Sequence, residues 1–308
     1  MAAGEAVAVF TQPDRPAGRG RKELSVSPIK QLALERNIAV YQPEKFDKHA
    51  VEQLRSLSPE LTVVAAYGLI LPQSALDVAS LDTINVHASL LPRHRGPSPI
   101  AAAILAGDAE AGVTAMKVRR AVDSGEIIVC GGVPAQRKTF IAEHENAGEL
   151  SRRLAALGGD ALAEAINTFA AGNVGYLPQD EARATYCKML SKADGRIDWA
   201  RPADEIVRHV RAMTPWPGAW SEIAGIADEP VRIVVVSARV SSESAGAPGG
   251  IKLEPGPRIF VGAGGGSVEI RRLKPAGRCE MPAADFVRGT PKLAGREWQE
   301  EIFFVASA

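Results

Sequence analysis

The stretch TINVHASLLPRHRG (83–96) decides how this chain is read. It begins as an apolar strand with an Asn and a His two residues apart, then turns at Ser-Leu-Leu-Pro and continues into two arginines. Side chains alternate across a strand, so Asn85 and His87 are expected on one face and Val86 on the other, in packing. Upstream, VAVF (7–10) reads as a strand, and LTVVAAY (61–67) as a continuous apolar run suited to burial on both faces. Between them SPIKQLALERN (27–37) has helical spacing, with Ser27 as N-cap and Pro28 at the first helical position. Downstream, PSPIAAAILAG (97–107) reads as a helix, GVTAMKV (112–118) and IIVCGGVPA as strands, and residues 147–172 as the longest helical pattern. Strands separated by such helices indicate an α/β protein with a doubly wound, mostly parallel sheet. Ligands in those sheets sit at the carboxyl ends of strands, which is where Asn85 and His87 fall.

After residue 172 the pattern changes. A polar, turn-rich stretch suits a linker, and PADEIVRHVRAM (202–213) is a short amphipathic helix. Period-2 runs such as VRIVVVSARV, RIFVG and SVEIRRL follow, separated by Gly/Pro turns, as in a small antiparallel β-barrel. The expected domains are therefore 1–175, a linker over 176–198, and a barrel over 199–308. GAGGGS (262–267) invites a dinucleotide reading, but a strand follows it where a helix N-terminus is needed, so a hairpin turn is expected.

The composition is that of an ordinary folded protein: 308 residues, 46% hydrophobic, with zero net charge. No long apolar run supports a membrane span, and the N-terminus lacks the pattern of a signal peptide. Three widely spaced cysteines without a CxxC fit reduced thiols in a cytoplasmic protein, not a zinc site. Charge is nonetheless segregated. Residues 1–30 carry Arg15, Arg19, Arg21, Lys22 and Lys30 against three acids, and residues 251–297 carry nine Lys/Arg against five Asp/Glu. Two basic ends on a neutral chain suit a phosphate backbone, although most short charge clusters are solvated surface.

An amide N–H can donate to a carbonyl oxygen as negative charge builds on it, and an imidazole can move a proton at neutral pH. Together they suit attack on a carbonyl by an external amine, with no Ser or Cys nucleophile. A His in that work needs a carboxylate to orient it. Asp123 in AVDSGE is the candidate, and Gly125 would allow close backbone approach. Asn-x-His by itself is a weak signal, because a structural His beside an Asn in a turn has the same spacing.

FTQPDRPAGRG, VVAAYGLILP, INVHASLLPRHRG, VDSGE, RIDW and PWPGAW stand in order along the chain, and with them it resembles the methionyl-tRNA formyltransferase family over nearly its whole length. The resemblance implies transfer of a formyl group from 10-formyltetrahydrofolate to the α-amino group of methionine on initiator tRNA, with no metal. By that resemblance Asn85 holds the formyl oxygen, His87 assists with the same oxyanion and with proton movement, and Asp123 sets the protonation of His87. Ser89, Leu90, Leu91 and Pro92 match the family's folate-binding turn, and Tyr67 and Gly68 its pocket wall. Arg15, Arg19, Arg21 and Lys22 match a loop that meets the acceptor end of the tRNA, and the barrel contacts the tRNA backbone. The implied partners are initiator methionyl-tRNA and folate, for a monomer in the cytoplasm that does not engage a membrane.

Two departures matter. The family opens with a strand and crossover helix before the strand matching VAVF; without them, open hydrogen-bonding edges are expected in the sheet. A displaced start codon is the favoured explanation, with a decayed copy that only binds folate or tRNA as the alternative. KVRRAVDSGE also carries Arg119, Arg120 and Ala121 where the family has an acid and a glycine. Basic residues there are similar to enzymes that formylate nucleotide-linked amino sugars. The FTQPDRPAGRG loop and the RIDW…PWPG second domain favour tRNA.

Overall fold

The strand Asp82–His87 is paired on both sides: parallel to Leu61–Val64, with Asn85 beside Val64, and antiparallel to Glu110–Lys117, with His87 beside Thr114. In the computed structural model the described residues are 4–17, 23–254, 256–293 and 298–305. They divide into two compact units, residues 1–95, 112–138 and 154–186 in one and 96–111, 139–153 and 187–308 in the other. The stretch expected as a linker is thus shared, going with the first unit up to Tyr186 and with the second from Cys187.

In the first unit the sheet runs Gly175–Leu177, Ile127–Cys130, Glu110–Lys117, Asp82–His87, Leu61–Val64. Ala8–Phe10 and Ala39–Tyr41 form a separate parallel pair. The parallel run ends at Asp82–His87, and the strands beyond it alternate in direction. Among the described residues Leu61–Val64 pairs on one side only, and Val63 is 40% exposed. Ile84, Ala115 and Ile128 are buried with Ala165 and Phe169 of the helix Ala147–Ala170. Gly158 of that helix lies over Val86, where a Cβ would come 3.3 Å from its Cγ2. Val86 does face packing, as strand alternation requires.

The helix Pro28–Glu35 begins as read, Ser27 Oγ accepting from the Lys30 amide at 3.2 Å. The Pro/Gly/Arg loop before it contains a short hairpin, Arg15–Ala17 against Glu23–Ser25. Its base is tied down. Lys30 Nζ bonds Asp14 and Gln42 Oε1, both at 2.6 Å, and Gln42 Nε2 donates to Asp14 and to the Gln12 carbonyl.

The second unit is built on a closed antiparallel barrel. Its strands follow the order Val231–Ser241, Ala219–Ala224, Trp298–Phe304, Gly250–Glu254, Arg258–Gly262, Ser267–Pro275, and the last pairs back to the first. Closure removes the edges that an open sheet must protect. Residues of Ala219–Ala224 alternate between buried and half-buried, the period of a strand with one face inside. Trp199 fills the interior, its ring tilted on Phe304 at 5.1 Å and its Nε1 donating to Ser221 Oγ at 3.1 Å. GAGGGS is the expected hairpin turn: Ala263 N donates to Gly266 O, and Gly266 has φ +82°. The amphipathic helix spans Ala203–Met213, starting after Pro202.

Candidate active site

His87 ends its strand with its ring buried, and Asp123 faces it from the turn between Glu110–Lys117 and Ile127–Cys130. The His87 Nδ1 to Asp123 Oδ2 separation is 3.5 Å, an ion-pair distance longer than a hydrogen bond. Nε2 lies 2.9 Å from the His94 carbonyl oxygen. A carbonyl only accepts, so Nε2 carries a proton and Nδ1, beside the carboxylate, is the nitrogen left for proton exchange. Asn85 stands two residues back on the same strand face. Its side-chain amide makes no hydrogen bond among the described residues and is half-buried, leaving its donors for a ligand.

The turn that carries Asp123 is tight. Asp123 itself has φ +49°, and a Cβ on Gly125 would fall 1.8 Å from the Lys117 carbonyl oxygen, so only glycine passes there. Gln179 Nε2 donates to the carbonyls of Asp123 (2.8 Å) and Gly125 (2.7 Å). Arg119 bonds Glu126 through Nε at 3.0 Å and Nη2 at 2.8 Å, holding that carboxyl below its ordinary range. One of the two unusual arginines is therefore engaged by a neighbouring carboxylate, at the surface. Arg120 is exposed.

The Ser-Leu-Leu-Pro turn is built into the core. Ser89 Oγ donates to the Arg93 carbonyl at 2.6 Å, and Leu91 is buried against Met116 and Ile127. Thr114 Oγ1 donates to the Ser89 carbonyl at 2.7 Å and accepts from the Leu91 amide. Gln136 Nε2 caps the Leu91 carbonyl at 3.0 Å. Leu90 lies over Gly112, where a Cβ would meet its Cδ2 at 2.4 Å, and Leu91–Pro92 is cis. Tyr67 Oη is shut from solvent with no hydrogen-bond partner among the described residues, and burial pushes its phenol up. Gln12 Nε2 donates to the Tyr67 carbonyl at 3.0 Å, and Gly68 takes φ +79° beside it.

Of the expected tRNA contacts, Arg15 is exposed, with Nη2 3.2 Å from Gln12 Oε1. Arg19, Arg21 and Lys22 lie outside the described residues. The sequence reading passed over Arg95, Gln179 and Thr185. Arg95 is 1% exposed and bonds Gln179 Oε1 (3.0 and 2.8 Å), Glu181 (2.9 and 2.7 Å) and the Tyr186 hydroxyl (3.2 Å). The Glu181 bonds raise its guanidinium further above the ordinary range. A buried cation requires such partners. The only local signal for it was the second arginine of the opening stretch.

No helix is long and apolar enough to cross a membrane, and no group of three His, Cys, Asp or Glu that could hold a metal occurs among the described residues. The formyl transferase family matches over residues 1–166, and the formyl transferase C-terminal domain over 189–291. The chain is 43% identical over 294 residues to a methionyl-tRNA formyltransferase of Roseiflexus castenholzii, covering 95% of this chain and 90% of that one. It is 45% identical over 280 residues to one of Pseudomonas paraeruginosa, covering 91% and 86%. In fold it is similar to HypX from Aquifex aeolicus in complex with tetrahydrofolic acid, with TM-score 0.61 and 21% identity, covering 89% of this chain and 47% of that chain. It is similar also to the sugar 3N-formyl transferase WlaRD, with TM-score 0.58 and 16% identity, covering 82% of each.

Proposed function

The chain belongs to the methionyl-tRNA formyltransferase family, and on that premise we propose how its residues divide the work of moving a formyl group from 10-formyltetrahydrofolate to the α-amino group of methionyl initiator tRNA. The observation that carries the proposal is the His87–Asp123 pair at 3.5 Å with a free amide, Asn85, on the same strand face. The methionyl nitrogen attacks the formyl carbon, and the carbonyl electron pair moves onto oxygen. Asn85 donates to that oxygen as its charge develops. Nε2 of His87 is committed to the His94 carbonyl, so the ring's contribution, to the oxyanion and to proton movement, runs through Nδ1. Asp123 faces Nδ1 at 3.5 Å and keeps the ring oriented. The nitrogen loses one proton, the folate nitrogen gains one, and the C–N bond to folate breaks.

Ser89, Leu90, Leu91 and Pro92 shape the folate pocket through the form of their turn, and Tyr67 and Gly68 line it. Residues 1–175 carry the chemistry and the barrel over 199–308 contacts tRNA backbone. Arg15, Arg19, Arg21 and Lys22 add phosphate contacts, so tRNA use falls with salt. The chain works as a cytoplasmic monomer without a membrane partner. Incubating it with 10-formyltetrahydrofolate and methionyl initiator tRNA, then hydrolysing the ester, is expected to release formylmethionine. A folded sample that yields none, but formylates a nucleotide-linked amino sugar, overturns the assignment.

A further inference from the structure

The polar stretch from Gln179 to Tyr186 contains only one short 3₁₀ turn, yet it bonds the Asp123 backbone at one end and, at the other, His94, the residue that receives His87 Nε2. At one end Gln179 spends both amide protons on the turn that carries the carboxylate, donating to the Asp123 and Gly125 carbonyls. Its orientation is unambiguous. Arg95 only donates, so its bonds at 3.0 and 2.8 Å fix the Gln179 oxygen toward the guanidinium and the nitrogen toward the two carbonyls. At the other end Thr185 Oγ1 accepts from the His94 amide at 2.8 Å, and the Thr185 carbonyl accepts from the Arg95 amide at 2.8 Å. His94 is the residue whose carbonyl receives His87 Nε2. Buried Arg95 joins the two ends through Gln179, Glu181 and Tyr186. Both His94 (φ +57°) and Asp123 (φ +49°) hold left-handed conformations, which persist in non-glycine residues only when their surroundings over-determine them.

We propose that residues 179–186 are a brace that sets the separation of His87 from Asp123, with Gln179 as a positioning residue for formyl transfer. This inference rests on the reaction proposed above. Gln179 touches no reacting atom; it acts by keeping the Asp123 carboxylate opposite Nδ1. A displacement of order 1 Å in such a pair costs roughly 10²-fold in rate. The family's catalytic triad does not include it, and no strand or helix periodicity marks it in the sequence.

The discriminating variant is Gln179→Glu. At neutral pH its carboxylate still accepts from Arg95, which preserves the buried cation, but it has no donor for the Asp123 and Gly125 carbonyls. The expected result is a fall in kcat of about 10- to 100-fold with KM for both substrates unchanged. A second readout needs no substrate: the ¹⁵N signals of the His87 ring, at one fixed pH and in the folded protein below its melting range, move from their wild-type positions. Thr185→Val, which removes only the His94 contact, gives the same pattern with a smaller loss. Wild-type kcat in a folded Gln179→Glu protein overturns the brace, and so does a loss of stability with the His87 signals unmoved. Should Gln179→Glu fail to fold, Thr185→Val decides on the same criteria. Should the wild-type chain formylate no tRNA, the proposed reaction fails, while the His87 signals still decide the brace.

Discussion

The open sheet and the closed barrel use polar side chains in opposite ways. In the sheet unit, Asn85, His87 and Asp123 gather at one strand end, Asp123 and the adjoining His94 are left-handed, and a buried arginine holds the arrangement together. In the barrel every strand of the closed ring has two neighbours, and a buried Trp199 needs just one hydroxyl to satisfy its indole. An open sheet leaves strand ends where side chains can converge on a ligand. A barrel gives up those sites for a core without edges. Substitutions in the two should therefore fail differently, one in chemistry and the other in stability.

His87→Ala tests the chemical side with the largest effect. Formyl transfer is expected to fall by about 10²- to 10⁴-fold, with tRNA affinity and melting temperature nearly unchanged; a parallel loss of tRNA binding in a filter-binding assay would undo the contrast. Trp199→Ala tests the other side. Removing a fully buried indole lowers stability by about 3–5 kcal/mol in urea titrations, while kcat per folded molecule is retained. A lost kcat in the folded variant would mean that the barrel shapes the chemistry.

The smallest effect concerns pH. His209, in the helix Ala203–Met213, is pushed below the ordinary imidazole range, first by burial and then by the Arg201 charge; a bond to the Gly195 carbonyl and the Asp194 charge oppose the shift. Its folded pKa lies below its unfolded value, so the neutral ring's contribution is complete above the unfolded pKa of about 6.5 and is lost as pH falls through the folded value. His209→Gln is expected to flatten the decline of Tm between about pH 7 and pH 5. An unaltered decline would place that dependence elsewhere.

Much of this was legible in one dimension. Helix starts such as Ser27–Pro28 follow from local capping chemistry, and the turn at GAGGGS follows from what comes after it, so neighbours along the chain suffice. Asn85 and His87 could be placed on one face because a strand alternates with period two. The hairpin Arg15–Ala17 with Glu23–Ser25 was missed, because Pro and Gly marked a loop whose base is pinned by Lys30 and Gln42 from further along the chain.

By itself the sequence determined the element types, the two architectures, the family and the placing of Asn85 and His87 on one strand face, since each is written in local periodicity or contiguous motif. Tertiary structure alone decided which His87 nitrogen faces Asp123, which arginine is spent and what holds Asp123 in place. Arg95 and Gln179 are 84 residues apart along the chain, and neither has a local pattern that announces the other. Their meeting depends on burial, because a guanidinium removed from water must find acceptors wherever the fold brings them.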